Sequence, residues 1–274
     1  MDMHRRATVP ARVNIIGEHT DYAGGLALPF AVDLYLKLEA TSRDEGFTGD
    51  PEIVKLWQSA NGWPANLTIE SEIPIGKGMS SSAALCLAIV MCAQGEIGQF
   101  EACKEAQRIE HEVLGTPCGL LDQMAMMFAI KGQATRIDFS ENSVQHVPLS
   151  NDWKFKLIDS GIHRALSSTE YSNHGHEDHV EQENTRVRLA IEASAAELGQ
   201  LLNESHASLS TIGVSTPEID TLVGSIQSTP GVHGARMMGG GFGGMIIVLV
   251  ESPEVYPEIP CVVSSGPAIL EELL

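Results

Sequence analysis

The chain has 274 residues, 43% of them hydrophobic, which is enough to bury a substantial core in one large domain or two small ones. Lys and Arg number 17 against 36 Asp and Glu, a formal net charge of −19, which argues against nucleic acid or an anionic membrane as the main partner. A phosphorylated small molecule stays open, because backbone N–H groups and one or two cations hold phosphate without a basic surface.

The first residues, "MDMHRRATVP", are basic but lack a following apolar run, so no signal peptide is expected. Residues 7–16 read as a strand running into "GEHTDYAGGLALP", a loop dense in ionisable groups and glycine. Alternating Leu34, Leu36 and Leu38 predict a strand, "EIVKLWQSANGW" a short amphipathic helix, and "NLTIESEIP" a strand ending at Pro74. "IGKGMSSSAALCLAIVMCAQ" is a Gly/Ser loop opening an apolar helix; residues 101–114 form an amphipathic one, and "GTPCGLLDQMAMMFA" a turn and an apolar one. "QATRIDF" and "SVQHVPL" predict a hairpin, and polar "SNDW" marks a boundary between a first lobe, residues 1–150, and a second, 151–274.

Beyond it, "KFKLIDSGI" reads as a strand, and the His/Glu-rich stretch from His163 to Arg186 as an exposed loop before a helix near residues 187–198. "TPEIDTLVGSIQS" predicts a helix with Thr216 as N-cap and Pro217 at its first position. "GVHGARMMGGGFGGMIIVLVES" predicts two strands about a glycine loop. Strands and helices mix without strict βαβ alternation, which favours α+β. The apolar stretches are interrupted by Gly or charge, so no membrane span is expected. The five cysteines, at 86, 92, 103, 118 and 261, show no CxxC pair and suit a reducing cytosol, so a cytoplasmic protein is expected.

Three stretches carry chemistry. "PIGKGMSSSAAL" couples Gly76 and Gly78 to Ser80, Ser81 and Ser82 at a helix N-terminus, which makes either a phosphate cradle or a plain serine-capped helix; a Walker A pattern is absent. The glycines of "GARMMGGGFGG" imply positive φ or a close backbone approach. Asp122, early in its helix and near Gly119, is either a dipole partner or a partly buried general base. His174, His176 and His179 are either a transition-metal site or part of a solvated loop.

In order and wording these stretches resemble the GHMP small-molecule kinases, and "ARVNIIGEHTDYAGGLALP", "PCGLLDQ" and "LLNESHASL" resemble the galactokinase branch. The resemblance implies a two-lobed α+β fold with the site in the cleft, and ATP-dependent phosphorylation of galactose at its C1 hydroxyl. It assigns Glu18, His19, Asp21 and Gly119 to the sugar, Arg12 and Asp122 to catalysis, and Gly76, Gly78 and Ser80–Ser82 to the ATP phosphates. It gives Ser82 and Glu110 to Mg²⁺, and has the glycines of 239–244 approach the sugar and the catalytic loop. A sugar and a nucleotide would be the partners; oligomeric state is not legible. Two departures touch the substrate: Ala23 stands where the family carries Asn, and Ser210 to Gly213 lacks the tyrosine expected to pack on the sugar. A kinase for another aldose, or a silent sugar-binding regulator, therefore stays open beside galactose phosphorylation. The adenine pocket is sought near residues 46–62, with Trp57 as a candidate.

Overall fold

A computed structural model describes residues 3–162 and 176–273. Its ten strands and seven helices form an α+β fold of three antiparallel sheets. The first sheet pairs β1 (His4–Asn14), β3 (Pro29–Ser42), β4 (Ala65–Ser71) and β10 (Ile269–Glu272) in the order β10-β1-β3-β4. On β1, Ala7, Val9, Ala11 and Val13 alternate into the core, and the β1–β3 register shifts between Pro10 and Ala11. Arg12 lies just past that shift, on the opposite face from Ala11 and Val13. The second sheet joins β2 (Leu26–Ala27) to the hairpin β5 (Gln133–Asp138) and β6 (Ser143–Pro148).

Helix α1 (Pro51–Ser59) is amphipathic, capped by Asp50, which accepts from the Glu52 N–H at 2.8 Å. Helix α2 (Ser81–Gln94) is apolar on all sides and correspondingly buried from Ala83 to Ala93, apart from Leu85, against β1, β3 and α3 (Gln99–Ile109). A π-helical turn, Glu110–Leu114, continues α3, and α4 (Leu121–Met127) follows.

The third sheet, β7 (Lys154–Asp159), β9 (Met245–Val250) and β8 (Val232–Met237), carries α6 (Ala195–Thr211) and α7 (Pro217–Gln227) against β8. Thr216 caps α7 as predicted, accepting from the Ile219 N–H at 3.3 Å. Strand β9 is buried on both faces: Ile246, Val248 and Val250 join a small core with α7, while Ile247 and Leu249 join the main core. That explains its unbroken apolar run.

Two expectations are corrected here. The stretch from His176 to Arg186 is not an exposed loop: α5 spans Glu177–Ala190. The chain then breaks where a helix was expected at 187–198, and α6 starts at a capping box of Ser194 and Glu197. Packing also joins the two halves of the chain: the Phe30 and Phe155 rings lie 5.8 Å apart in one core, and β10, absent from the sequence reading, pairs with β1 through Arg5–Thr8. Residues 269–272 therefore pack with the first half of the chain.

Candidate active site

A cleft of about 400 Å³ lies between the two parts of the fold, and the residues expected to hold the sugar, the ATP phosphates and Mg²⁺ and to carry catalysis all line it. Three segments far apart in sequence meet there: the end of β1 with the loop after it, the serine loop before α2, and the turn into α4.

Arg12 joins them. Buried at 4% exposure, it donates from Nε to Asp122 Oδ1 at 2.8 Å, with Nη2 also 2.8 Å from that oxygen, and from Nη1 to the Gly78 carbonyl at 2.7 Å. One guanidinium thus fixes both the carboxylate at the head of α4 and the backbone of the serine loop. Asp122 stays partly open to the cleft, its side chain 26% exposed.

Asp21 opens a single 3-10 turn, Asp21–Ala23, and its carboxylate accepts from the Tyr22 N–H at 3.1 Å and the Leu121 N–H at 3.4 Å. Burial, with Asp122 nearby, pushes its carboxyl up to about 6 against the pull of those two N–H groups. This carboxylate also explains Gly119: a Cβ there would lie 1.8 Å from Asp21 Oδ2, so any side chain would evict it. His19 is buried, packs edge-to-face with Tyr22 at 6.2 Å, and is held neutral to about pH 4, chiefly by burial.

Glu18 is also buried. Burial opposes its charge, yet Arg236, Arg12 and the Gly239 N–H together hold its carboxyl below the usual range. Its Oε1 accepts from Gly239 N–H at 2.7 Å and from both Arg236 Nη atoms at 3.3 Å. Arg236, fully buried on β8, also donates to the Ile15, Asn14 and Met237 carbonyls. Sequence reasoning missed it, although a lone cation in the apolar run "GARMM" is the kind of signal that marks a buried pair.

On the other side, Ser80 adopts φ +63° at the N-cap of α2 and, among the described residues, its buried Oγ has no hydrogen-bond partner. Ser82 Oγ donates to Glu110 Oε1 at 2.7 Å, and Gln123 Nε2 donates to Glu110 Oε2 at 3.0 Å. Burial, helped by Asp122, pushes the Glu110 carboxyl up to about 7 despite the opposing Ser82 hydrogen bond. No cationic side chain pairs with Glu110 among the described residues. A hydroxyl and an unpaired carboxylate this close are hard oxygen donors, the kind Mg²⁺ takes.

The glycine run 239–244 borders the cleft and also meets the serine loop: a Cβ on Gly239 (φ +83°) would lie 3.1 Å from Gly78 Cα, and one on Gly78 (φ +73°) would lie 2.9 Å from the Met238 carbonyl, while one on Gly241 or Gly243 would lie 2.3 Å from the Val214 or Ile162 carbonyl. Met245 N–H donates to the Lys77 carbonyl at 2.9 Å, and Lys77 Nζ pairs with Asp159 at 2.5 Å. These glycines let two backbones touch. Trp57 is not in the cleft: it is fully buried and donates from Nε1 to the Trp63 carbonyl at 2.7 Å. Of the three histidines, His174 lies outside the described residues; His179 is buried, not solvated, and no metal-holding cluster occurs among the described residues.

The fold and this site define a small-molecule kinase of the GHMP type. The GHMP kinases N terminal domain model matches residues 52–129, the GHMP kinases C terminal model 187–259, and the galactokinase galactose-binding signature 4–38. The galactokinase of Thermotoga maritima is 32% identical over 89% of this chain and 89% of that protein. That of Chloroflexus aggregans is 31% identical over 92% of this chain and 85% of the relative. Among solved structures, Lactococcus lactis galactokinase complexed with galactose superposes with a TM-score of 0.84 at 24% identity, covering 97% of this chain and 95% of the other. Methanococcus jannaschii mevalonate kinase follows with 0.71 at 18%, covering 95% and 98%. The chain belongs to the galactokinase family. No single described helix is long and apolar enough to cross a membrane.

Proposed function

We propose that this protein transfers the γ-phosphoryl group of ATP to the C1 hydroxyl of galactose. The observation that carries the reading is the Arg12–Asp122 pair, 2.8 Å apart, between the Asp21 loop and the serine loop. In this reading Asp21, Glu18 and His19 hold the sugar hydroxyls, and Asp122 faces the C1 hydroxyl. The C1 oxygen attacks the γ-phosphorus, the bond to the β–γ bridging oxygen breaks, and the hydroxyl proton passes to Asp122. Arg12 orients the Asp122 carboxylate and offsets charge on the transferred group. For a loose transition state, the orientation that Arg12 and Asp122 impose weighs as much as basicity.

The serine loop and the α2 N-terminus are the phosphate site, where the Ser80 hydroxyl, without a partner among the described residues, would donate to a phosphate oxygen. Ser82 and Glu110 would hold Mg²⁺, which when bound neutralises charge on the β- and γ-phosphate oxygens. Localisation in the cytoplasm is consistent with thiols that lack any disulfide among the described residues.

The test is ADP release from purified protein with Mg-ATP and a panel of free aldoses. Galactose turning over fastest is the expected result. Preference for another aldose overturns the substrate, and sugar binding without turnover overturns the activity.

A further inference from the structure

The sugar loop, residues 17–26, closes on itself through Thr20. Its Oγ1 lies 3.1 Å from the Gly17 carbonyl and 2.9 Å from the Leu26 carbonyl, and Gly25 N–H donates to the Thr20 carbonyl at 2.9 Å. The two amides at the neck are satisfied from outside, by consecutive residues of α5. Gly17 N–H donates to Glu183 Oε1 at 3.0 Å, and Leu26 N–H donates to Asn184 Oδ1 at 2.7 Å. One turn earlier, His179 Nε2 donates to the Glu18 carbonyl at 3.0 Å while its Nδ1 accepts from the Ser208 hydroxyl at 2.7 Å. A carbonyl partner sets that tautomer.

Positions 179 and 183 lie one turn apart on the same helix face, and 184 sits beside them. Glu183 is fully buried, and its other bonds come from Ser205 Oγ at 2.6 Å and Arg186 Nη1 at 2.6 Å. Burying a carboxylate and an imidazole to meet main-chain groups of one loop costs desolvation that apolar packing would avoid. The loop is fitted to this contact: a Cβ on Gly25 would lie 2.9 Å from Asn184 Oδ1 and 2.6 Å from Thr20 Cβ.

We propose that His179, Glu183 and Asn184 are positioning residues, a clamp on α5 that holds the loop bearing Glu18, His19 and Asp21 in its sugar-binding shape. The proposal rests on the sugar reading of that loop. A clamp acts on one substrate, whereas a filler of the core would affect both alike.

The test compares Asn184→Leu, which removes the acceptor at similar size, with Asn184→Asp, which keeps it, at a half-buried site. Asn184→Leu is expected to raise KM for galactose about tenfold with KM for ATP within about twofold of the parent, and Asn184→Asp to restore the sugar KM. An unchanged sugar KM, or both KM values rising together, overturns the clamp. If the parent does not turn over galactose, the substrate reading fails by itself. Amide hydrogen exchange then decides the clamp: faster exchange at Gly17 and Leu26 in Asn184→Leu than in the parent and Asn184→Asp supports it, and equal exchange overturns it.

Discussion

Asp122 and Asp21 share a cleft but do different work, and their surroundings say why. Asp122 has an arginine on it at 2.8 Å, while among the described residues Asp21 has two backbone N–H groups and a neighbouring carboxylate. Asp122→Asn is expected to lower kcat by about 10²–10⁴-fold while galactose binding, followed by calorimetry, stays near the parent value. For Asp21 the consequence is one of stability. Its carboxyl rises from an ordinary 3.8 to about 6, so above pH 6 the folded protein carries a charge it disfavours. Asp21→Asn removes that cost: it should stabilise the free protein by about 1–2 kcal/mol at pH 7–8, after discounting for partial solvation, while weakening sugar binding. Thermal melts should show the advantage shrinking as pH falls from 6 and vanishing below 3.8, where the parent carboxyl is protonated in both states.

The element with most at stake is the head of α2. Ser80 takes a left-handed conformation, and its buried hydroxyl has no partner among the described residues. An unsatisfied buried hydroxyl costs about 1–3 kcal/mol. Ser80→Ala should therefore raise the melting temperature of the free protein while raising KM for ATP and sparing KM for galactose; a fall in both melting temperature and sugar affinity would contradict this. Helix α5 shows how an element escapes sequence reading. Its buried face is His179, Val180, Glu183, Arg186, Val187 and Ala190, a helical stripe in which half the side chains are polar. The apolar period is thus erased, and what remains looks like a solvated loop. Strand β10 was hidden for a different reason: it is a four-residue edge strand, largely exposed, whose only signal is a neighbour in the distant β1.

At the scale of the whole molecule, the two parts of the fold are held by polar contacts as well as by apolar core. Glu18 and Arg236 form a buried pair across 218 residues of chain, and Lys77 meets Asp159 at the surface. Glu18→Gln would leave the fully buried Arg236 without its counter-charge and should cost about 3–5 kcal/mol in urea unfolding. The same region governs acid behaviour. His19 stays neutral in the fold down to about 4, so between pH 6.5 and 4 the unfolded chain binds the extra proton and stability falls as pH falls. Glu18, whose carboxyl is lowered, adds its loss below its ordinary 4.5. Asp21 acts with the opposite sign from about 6 down to 3.8, so Asp21→Asn should show a steeper acid loss than the parent.

The amino-acid sequence by itself determined most strands and helices, the serine loop with its helix and the Thr216 cap, because periodicity, capping and glycine punctuation act between near neighbours; the expected site residues came instead from the resemblance of its motifs to the galactokinase family. Tertiary structure alone decided that Arg12 reaches Asp122 across 110 positions and that Gly119 is glycine because Asp21 fills the space beside it. It also decided that Glu18 pairs with Arg236, and that a polar helix accepts hydrogen bonds from the amides at the neck of the loop 17–26. Each of these depends on which surfaces meet after packing, and charges or volumes hundreds of residues apart leave no local period from which that meeting could be read.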